Sequence, residues 1–268
     1  MRPLYTGNTL VSELLLTLAH EGFWCDSNTK ILDYGCGSGA LVYALRDFGF
    51  DAYGFDIHER VNYRNPSDHA FFAFAANPQT DTSNAIVDAD CARAGFQSQQ
   101  FDLVISTSVI EHVQDLPSML GDVARLLKPS GCSVHIFPRR TMLIEPHIYV
   151  PLGGVVQHWL WFYVWALAGI RNEYQEHMGA RDAADNNMRY CRTGLKYLSR
   201  RDLVRVGRQS FSGVRYLHRA SLHYWTPTLP VRAWRMLRQR LAALRANDPL
   251  RSLSRLQQTS ALVLFSPK

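Results

Sequence analysis

The sequence predicts an α/β protein with a doubly wound, mostly parallel sheet. Short apolar segments alternate with helix-like segments between residues 30 and 137, as in sheets whose parallel strands are joined by helices. The first apolar segment runs into a glycine-rich turn, an arrangement typical of Rossmann-like folds. A last apolar segment, residues 260–265, would complete the sheet. We therefore expect residues 1–268 to form a single domain with embellishments.

Local signals define the elements up to residue 137. Leucines that share one face predict an amino-terminal helix over residues 8–20. Pro117 lies in the first turn of a later helix, which the run Lys128-Pro129-Ser130-Gly131 stops. Residues 57–84, rich in Asn, Pro and Asp, are predicted to be irregular. The remaining elements are strand 30–34, helix 41–48, strand 51–56, strand 85–90, strand 101–106, helix 117–127 and strand 132–137.

The regular alternation ends after the fifth strand. Prolines, aromatic residues and polar runs predict a helical insertion over residues 138–210, which we expect to cap the binding site. A sixth strand, 211–217, and a basic helical embellishment, 226–258, precede the last strand. An ordered helix is expected over residues 155–170. Its apolar stretch of 12 residues is shorter than the roughly 20 that span a bilayer, so we expect peripheral membrane contact at most.

Composition and charge narrow the class of protein. With 47% hydrophobic and 19% charged residues, the chain has the composition of a folded globular protein, and its first residues lack a secretory signal, so we expect a cytoplasmic location. Five cysteines without a C-x-x-C pair indicate reduced thiols and no metal site. Residues 181–268 hold 18 Lys/Arg against 4 Asp/Glu, whereas residues 1–180 hold 11 against 19. The basic part could face an anionic partner or form a solvated surface, and both interpretations stay open.

The glycine-rich turn and the acid after it indicate an adenosine-type ligand. Gly35-Cys-Gly-Ser-Gly-Ala40 follows the first strand, where glycines let the backbone approach a ligand and the next helix presents unpaired N–H groups. Asp56 ends the second strand, 17 residues past Gly39, where a carboxylate can accept both ribose hydroxyls. These features fit NAD and S-adenosylmethionine equally well.

Three downstream segments discriminate between the two ligands. They are Asp90-Cys-Ala-Arg-Ala-Gly-Phe96, then Phe101-Asp-Leu-Val-Ile-Ser-Thr-Ser-Val-Ile-Glu-His-Val113, then Asp122-Val-Ala-Arg-Leu-Leu-Lys-Pro-Ser-Gly131. In this order they resemble class I S-adenosylmethionine-dependent methyltransferases of the small-molecule branch related to the ubiquinone and menaquinone enzymes. The resemblance spans residues 30–137 and the final strand. It departs from the family pattern where Gly95 replaces a proline and Ser130 a glycine.

The resemblance implies a set of cofactor-binding residues. The glycine-rich turn would hold the methionine part of the cofactor. Asp56 would bind the ribose and Ile57 would pack on the adenine ring, and residues at the ends of the third and fourth strands would add further contacts. Those residues are Asp33, Gly35, Cys36, Gly37, Gly39, Asp56, Ile57, Asp90, Cys91, Ser106 and Thr107. The cofactor would be S-adenosyl-L-methionine and the product S-adenosyl-L-homocysteine, with no metal. The sequence shows no hydride-transfer constellation beside the glycine-rich turn, so an NAD-dependent oxidoreductase is disfavoured. A nucleic-acid acceptor is also disfavoured, because no Asp-Pro-Pro-Tyr-type motif follows strand four.

The acceptor side is indicated by histidines and charged residues near the carboxyl ends of the strands. His112 and His147 are the candidate general bases, because a neutral imidazole can take a hydroxyl proton near pH 7. Candidate substrate-binding residues are Arg139, Arg140, Glu145 and His158. We expect O-methylation of a sugar, glycolipid or secondary metabolite, with a small-molecule or glycan acceptor that could be anionic. The alternative is a cofactor-binding protein on the same fold that does not methylate.

Overall fold

The computed structural model describes residues 11–12, 14–15, 18–19, 21–75, 96–217 and 259–268. The chain divides into two compact units: the first comprises Met1–Phe137, Leu198–Leu222 and Ser260–Lys268, and the second Pro138–Tyr197 and His223–Thr259. The first unit holds the sheet. The second holds most of the predicted insertion.

The sheet has seven strands in the order β3-β2-β1-β4-β5-β7-β6. The first five strands along the chain pair in parallel, and β7 is antiparallel to both of its neighbours. The expected mostly parallel Rossmann-like sheet, finished by the last strand, is thus confirmed. The strands are β1 (Lys30–Tyr34), β2 (Asp51–Asp56), β3 (Phe72–Phe74), β4 (Phe101–Thr107), β5 (Leu127–Phe137), β6 (Phe211–Leu217) and β7 (Ser260–Pro267).

Three helices of the first unit are described in full. They are α1 (Ala40–Asp47), α2 (Leu116–Leu126) and, later in the chain, α5 (Arg200–Ser210). The described positions of the predicted amino-terminal helix are also helical, and Leu14 and Leu18 are buried as expected. The main core joins side chains of α2 and α5 to one face of the sheet: Leu120, Val123, Leu203, Val206, Leu32, Val104 and Leu262.

The third strand differs from the prediction. The expected strand 85–90 lies outside the described residues. Strand β3 instead comes from the stretch predicted to be irregular, where a short 3-10 helix, Pro66–Phe71, leads directly into Phe72–Phe74. Three residues are too few for a period-2 pattern to be recognised in sequence. The strand forms because it pairs in register with Gly54, Phe55 and Asp56 of β2.

The end of the predicted insertion also differs. Helix α5 was expected within the insertion 138–210, but it clusters with the first unit, because Leu203 and Val206 pack into the main core. The second unit contains α3 (Trp159–Leu167), a 3-10 turn at Glu173–Gln175 and α4 (Ala180–Thr193). Its own core includes Phe162, Ile170 and Ala184. The basic segment 226–258 lies outside the described residues.

Helix α3 is shorter than the predicted 155–170. It begins after His158, whose ring Nδ1 accepts a hydrogen bond from the Leu160 amide, and ends before Gly169, which has a positive φ of 84°. Among the helices of the described part of the chain, none has the length and apolarity to cross a membrane.

Candidate active site

The glycine-rich turn between β1 and α1 leaves open space at Gly37. Gly35, Gly37 and Gly39 all have positive φ, at 84°, 50° and 78°. Residues that carry a side chain rarely adopt such values. The amides of Gly35 and Cys36 donate to the Phe55 carbonyl at 2.7 and 3.0 Å, which ties the turn to β2. A Cβ atom on Gly35 would collide with Val109, whereas a Cβ on Gly37 would have no atom of another described residue, its chain neighbours aside, within 4 Å.

Asp56 at the end of β2 is fastened to the same turn. Its Oδ2 accepts from the Gly37 amide at 2.8 Å, and its Oδ1 accepts from the His58 amide at 3.1 Å. The carboxylate is therefore held beside the turn at a strand end, where parallel sheets bind ligands. Ile57 follows and packs, partly buried, against the main core.

Asp33 contributes a buried carboxyl group to this region. Its side chain is 2% exposed, and its Oδ1 finds no hydrogen-bond partner among the described residues. Burial, and then the nearby charge of Asp56, raise the pKa of Asp33 to about 7. A buried carboxyl oxygen without a partner is costly, and Oδ1 could accept a hydrogen bond from a donor group of a ligand. The ammonium of the methionine part of S-adenosylmethionine is a donor of this kind.

Ser106 and Thr107, two predicted cofactor residues at the end of β4, point to opposite faces of the sheet. Ser106 is fully buried and its Oγ lies 2.7 Å from Nδ1 of His135, which is itself buried in β5. Ile105 is in register with Asp33, so the next residue, Ser106, points to the opposite face of the sheet. Ser106 is thus a core residue, which corrects its assignment to the cofactor. Thr107 returns to the face of Asp33 and is partly exposed.

His135 is a structural histidine, as its position within a strand suggests. Burial lowers its pKa to about 3, so the ring is neutral at physiological pH. Of the remaining predicted cofactor residues, Asp90 and Cys91 lie outside the described residues.

His112 lies in the segment that follows β4. Its Nε2 is 4.0 Å from Oε1 of Glu111, which is buried at 2% exposure. The His112 amide donates to the Val109 carbonyl at 2.8 Å, and Val109 is the residue that contacts Gly35. His112 therefore belongs to the same unit as the glycine-rich turn and is tied to a residue that supports it.

Glu145 is the centre of a hydrogen-bonded cluster in the second unit. Its buried carboxylate accepts from the amides of His147 and Ile148 at 2.8 and 2.9 Å. It also lies 2.7 Å from Nδ1 of His147 and accepts from the Tyr197 hydroxyl at 2.6 Å. Burial alone would raise the pKa of Glu145, but His147, Tyr197 and the backbone amides hold that pKa below its ordinary value.

These contacts correct the assignment of Glu145 to substrate binding. The carboxylate is 1% exposed and is already occupied by four donors. Glu145 instead fixes the protonation of the His147 ring. Because an ionised carboxylate only accepts hydrogen bonds, Nδ1 of the ring carries the proton, and Nε2 of the neutral ring is the basic atom. Asn172 Nδ2 donates to the His147 carbonyl at 2.9 Å and fixes the backbone there. Sequence analysis missed Tyr197, which is 52 residues from Glu145 and in no recognisable motif.

The other predicted acceptor-side residues have structural contacts. His158 is exposed and caps α3, which accounts for its position without a substrate. Arg140 Nε donates to the Gly154 carbonyl at 3.0 Å, and Gly154 packs so closely that a Cβ there would overlap the Arg140 carbonyl. Arg139, next to the end of β5 in sequence, is partly exposed.

Comparison with known proteins supports a methyltransferase. A family model described as a methyltransferase domain matches residues 6–209. The ubiquinone biosynthesis O-methyltransferase of Rhodopseudomonas palustris (strain BisB5) is 35% identical over 109 residues, which are 40% of this chain and 39% of that protein. The sterol 4-C-methyltransferase strm-1 of Caenorhabditis elegans is 28% identical over 131 residues, 48% of this chain and 37% of that protein. The chain thus covers about two fifths of the length of these curated relatives.

A solved structure shares the fold. Haemonchus contortus phosphoethanolamine N-methyltransferase 2, in complex with S-adenosyl-L-methionine, aligns with a TM-score of 0.51 at 12% identity, over 95% of this chain and 52% of that one. The family match covers most of the sequence, and it agrees with the strand order and with the glycine-rich turn beside Asp33 and Asp56. The chain belongs to the class I S-adenosylmethionine-dependent methyltransferases.

Proposed function

We propose that this chain transfers a methyl group from S-adenosylmethionine to a hydroxyl group of a small-molecule acceptor. The observation that carries the cofactor part is the buried Asp33 carboxyl, which has an unpartnered Oδ1 among the described residues and lies in the strand that leads into the glycine-rich turn. Asp33 would hold the ammonium of the methionine part, and Asp56 the ribose hydroxyls. When bound, the cofactor supplies a methyl group on a sulfonium, already activated for attack by a nucleophile.

His147 is the proposed general base for a hydroxyl acceptor. Glu145 holds the ring with the proton on Nδ1, so Nε2 can take the acceptor proton. Tyr197 donates to the same Glu145 oxygen, Oε1, and so restrains the carboxylate in that position. Glu145 is thus proposed as a positioning residue. His112 is the second candidate base.

The names of two relatives bear on the acceptor class. Relatives named for ubiquinone biosynthesis are O-methyltransferases, and another is named for sterol C-methylation. The name of the former relatives supports transfer to oxygen. We retain a sugar, glycolipid or secondary metabolite as the proposed acceptor. The test is incubation with methyl-labelled S-adenosylmethionine and a panel of hydroxylated lipids, glycans and phenols. Transfer only to amines or carboxylates would contradict the proposal.

Asp56→Ala should weaken binding of S-adenosylhomocysteine. Loss of charge-assisted hydrogen bonds to the ribose costs about 1.5–3 kcal/mol, so affinity should fall roughly tenfold or more. Isothermal titration calorimetry measures the change. Asp51→Ala is the matched control: Asp51 begins the same strand, β2, and lies 3.7 Å from Arg46 at its partly exposed end. Equal affinities for the two variants would rule out the assignment of Asp56.

Binding of S-adenosylhomocysteine should release a proton from Asp33. In the free protein the pKa of Asp33 is raised from 3.8 to about 7, so the folded protein holds this proton more tightly than the unfolded chain. The stability contributed by the protonated form is full below pH 3.8 and declines as the pH rises towards 7. A bound ammonium would stabilise the carboxylate and lower its pKa, so affinity should rise with pH over the same window.

Calorimetry at about pH 6 in two buffers of different ionisation enthalpy measures the released proton. The wild-type protein should release a large fraction of one proton, and Asp33→Asn should release none. If wild type and Asp33→Asn show the same dependence on buffer, Asp33 does not contact the ammonium.

A further inference from the structure

Exposed apolar side chains are concentrated in one short segment of the second unit. Eight large apolar residues are exposed in the described part of the chain, and five of them fall within residues 152–167. The other three, Trp24, Phe48 and Tyr174, are separated from one another in sequence. Single exposed apolar residues are ordinary, but a contiguous group marks an interaction surface. The five residues of the group are Leu152, Val155, Leu160, Val164 and Leu167.

Helix α3 carries the central part of this surface. Leu160, Val164 and Leu167 are 55%, 50% and 63% exposed, and their spacing of four and three residues places them on one helix face. We call these three residues the α3 stripe. The opposite side is anchored by Phe162 and Ala166, the buried residues of the helix. Residues 146–170 include no Asp, Glu, Lys or Arg, so no charge interrupts the stripe.

Two tryptophans of α3, Trp159 and Trp161, have hydrogen-bonded indole N–H groups. Trp159 stacks on Tyr163 with ring centroids 4.9 Å apart, and its Nε1 donates to Asp185 at 2.6 Å. Trp161 Nε1 donates to the Pro151 carbonyl at 2.8 Å. Tryptophan and tyrosine with a polar edge and an apolar ring are favoured at the boundary between lipid and water.

The charge of the same unit complements an anionic surface. Helix α4 exposes Arg181, Arg189 and Arg192, and Asp185 of that helix holds Trp159 of α3. The sequence 223–258 of this unit adds seven arginines and a single aspartate. An uncharged apolar helix face combined with many cations is the composition of segments that lie in the headgroup region of anionic bilayers.

We propose that the α3 stripe docks the second unit onto an anionic lipid bilayer. The helix lies in the interface, with Leu160, Val164 and Leu167 among the acyl chains near the headgroups. The nearby arginines contact lipid phosphates. This contact goes beyond the proposed methyl transfer and does not depend on it.

Vesicle co-sedimentation tests the proposal. The full chain should bind vesicles of phosphatidylcholine mixed with phosphatidylglycerol, bind phosphatidylcholine vesicles less, and lose binding to the mixed vesicles as salt rises. The variant Leu160→Glu/Val164→Glu/Leu167→Glu should lower the partition coefficient roughly hundredfold or more, because three apolar side chains no longer enter lipid. Trp24→Glu, which places an acid at an exposed aromatic residue of the first unit, should bind like wild type.

Folding and self-association are controlled separately. All three stripe residues are exposed, so the triple variant should retain its circular dichroism spectrum and its affinity for S-adenosylhomocysteine. Wild-type protein that stays in the supernatant with both vesicle types would overturn the proposal. Binding of the triple variant to vesicles at the wild-type level would also overturn it. A third contrary result is a wild-type protein that forms a dimer, a triple variant that is monomeric, and no vesicle binding by either.

Discussion

Gly37→Val is expected to abolish measurable binding of S-adenosylhomocysteine while the fold persists. The new side chain would project into open space, because no atom in the described part of the chain, the two neighbouring residues aside, lies within 4 Å of a Cβ there. The cofactor is proposed to approach the backbone at this place. A loss of about hundredfold corresponds to about 2.7 kcal/mol. Fluorescence or calorimetric titration measures the affinity, and thermal unfolding monitors the fold.

A matched control separates ligand exclusion from backbone strain. Gly49, after α1, also has a positive φ, 91°, and also has no atom within 4 Å of a Cβ. Gly49→Val should therefore suffer similar strain, of order 1–2 kcal/mol for a left-handed residue, and keep its affinity for S-adenosylhomocysteine. If the two variants lost the same affinity, or if Gly37→Val bound normally, the turn would have only a structural role.

The cofactor side could be predicted from sequence because its signals are local. The residues from Asp33 to Gly39 are contiguous, and Asp56 ends the next strand, so a strand-turn-helix pattern was enough to bring them together. The error at Ser106 arose within a strand. Sequence placed it correctly at the end of β4, but only the register of Ile105 with Asp33 shows which face it occupies, and a shift of one residue reverses the face.

Strand β3 and the role of Glu145 depend on tertiary contacts that the sequence pattern does not show. Strand β3 is defined by pairing with β2 rather than by its own pattern. On the acceptor side, sequence analysis grouped Glu145 with His147 but read the glutamate as a substrate ligand. Its burial, and the donation from Tyr197, come from packing within the second unit. Spacing along the chain carries no information on such contacts. The basic segment 226–258 lies outside the described residues and its role stays a prediction.

His147→Ala is expected to lower kcat by about 10²–10⁴-fold, the usual contribution of a general base, once a hydroxyl acceptor is identified. Affinity for S-adenosylhomocysteine should not change, because the proposed role of His147 is to take the acceptor proton and not to hold the cofactor. His158→Ala is the matched control. It removes another histidine of the second unit, whose ring caps α3, and should cost stability of about 1 kcal/mol with little effect on kcat.

Glu145→Gln tests whether the carboxylate acts through His147. The amide keeps the size of the side chain but can no longer fix the proton on Nδ1 by charge, so kcat should fall while KM for the acceptor stays near wild type. A glutamate that bound substrate would instead raise KM. His112→Ala keeps the backbone bond to Val109, so it tests the imidazole alone. It should lower kcat alone if His112 is the base, and should weaken cofactor binding as well if the ring has a positional role. If neither histidine variant slowed transfer, the acceptor would be a carboxylate or an amine that needs no base, and transfer to a hydroxyl would be ruled out.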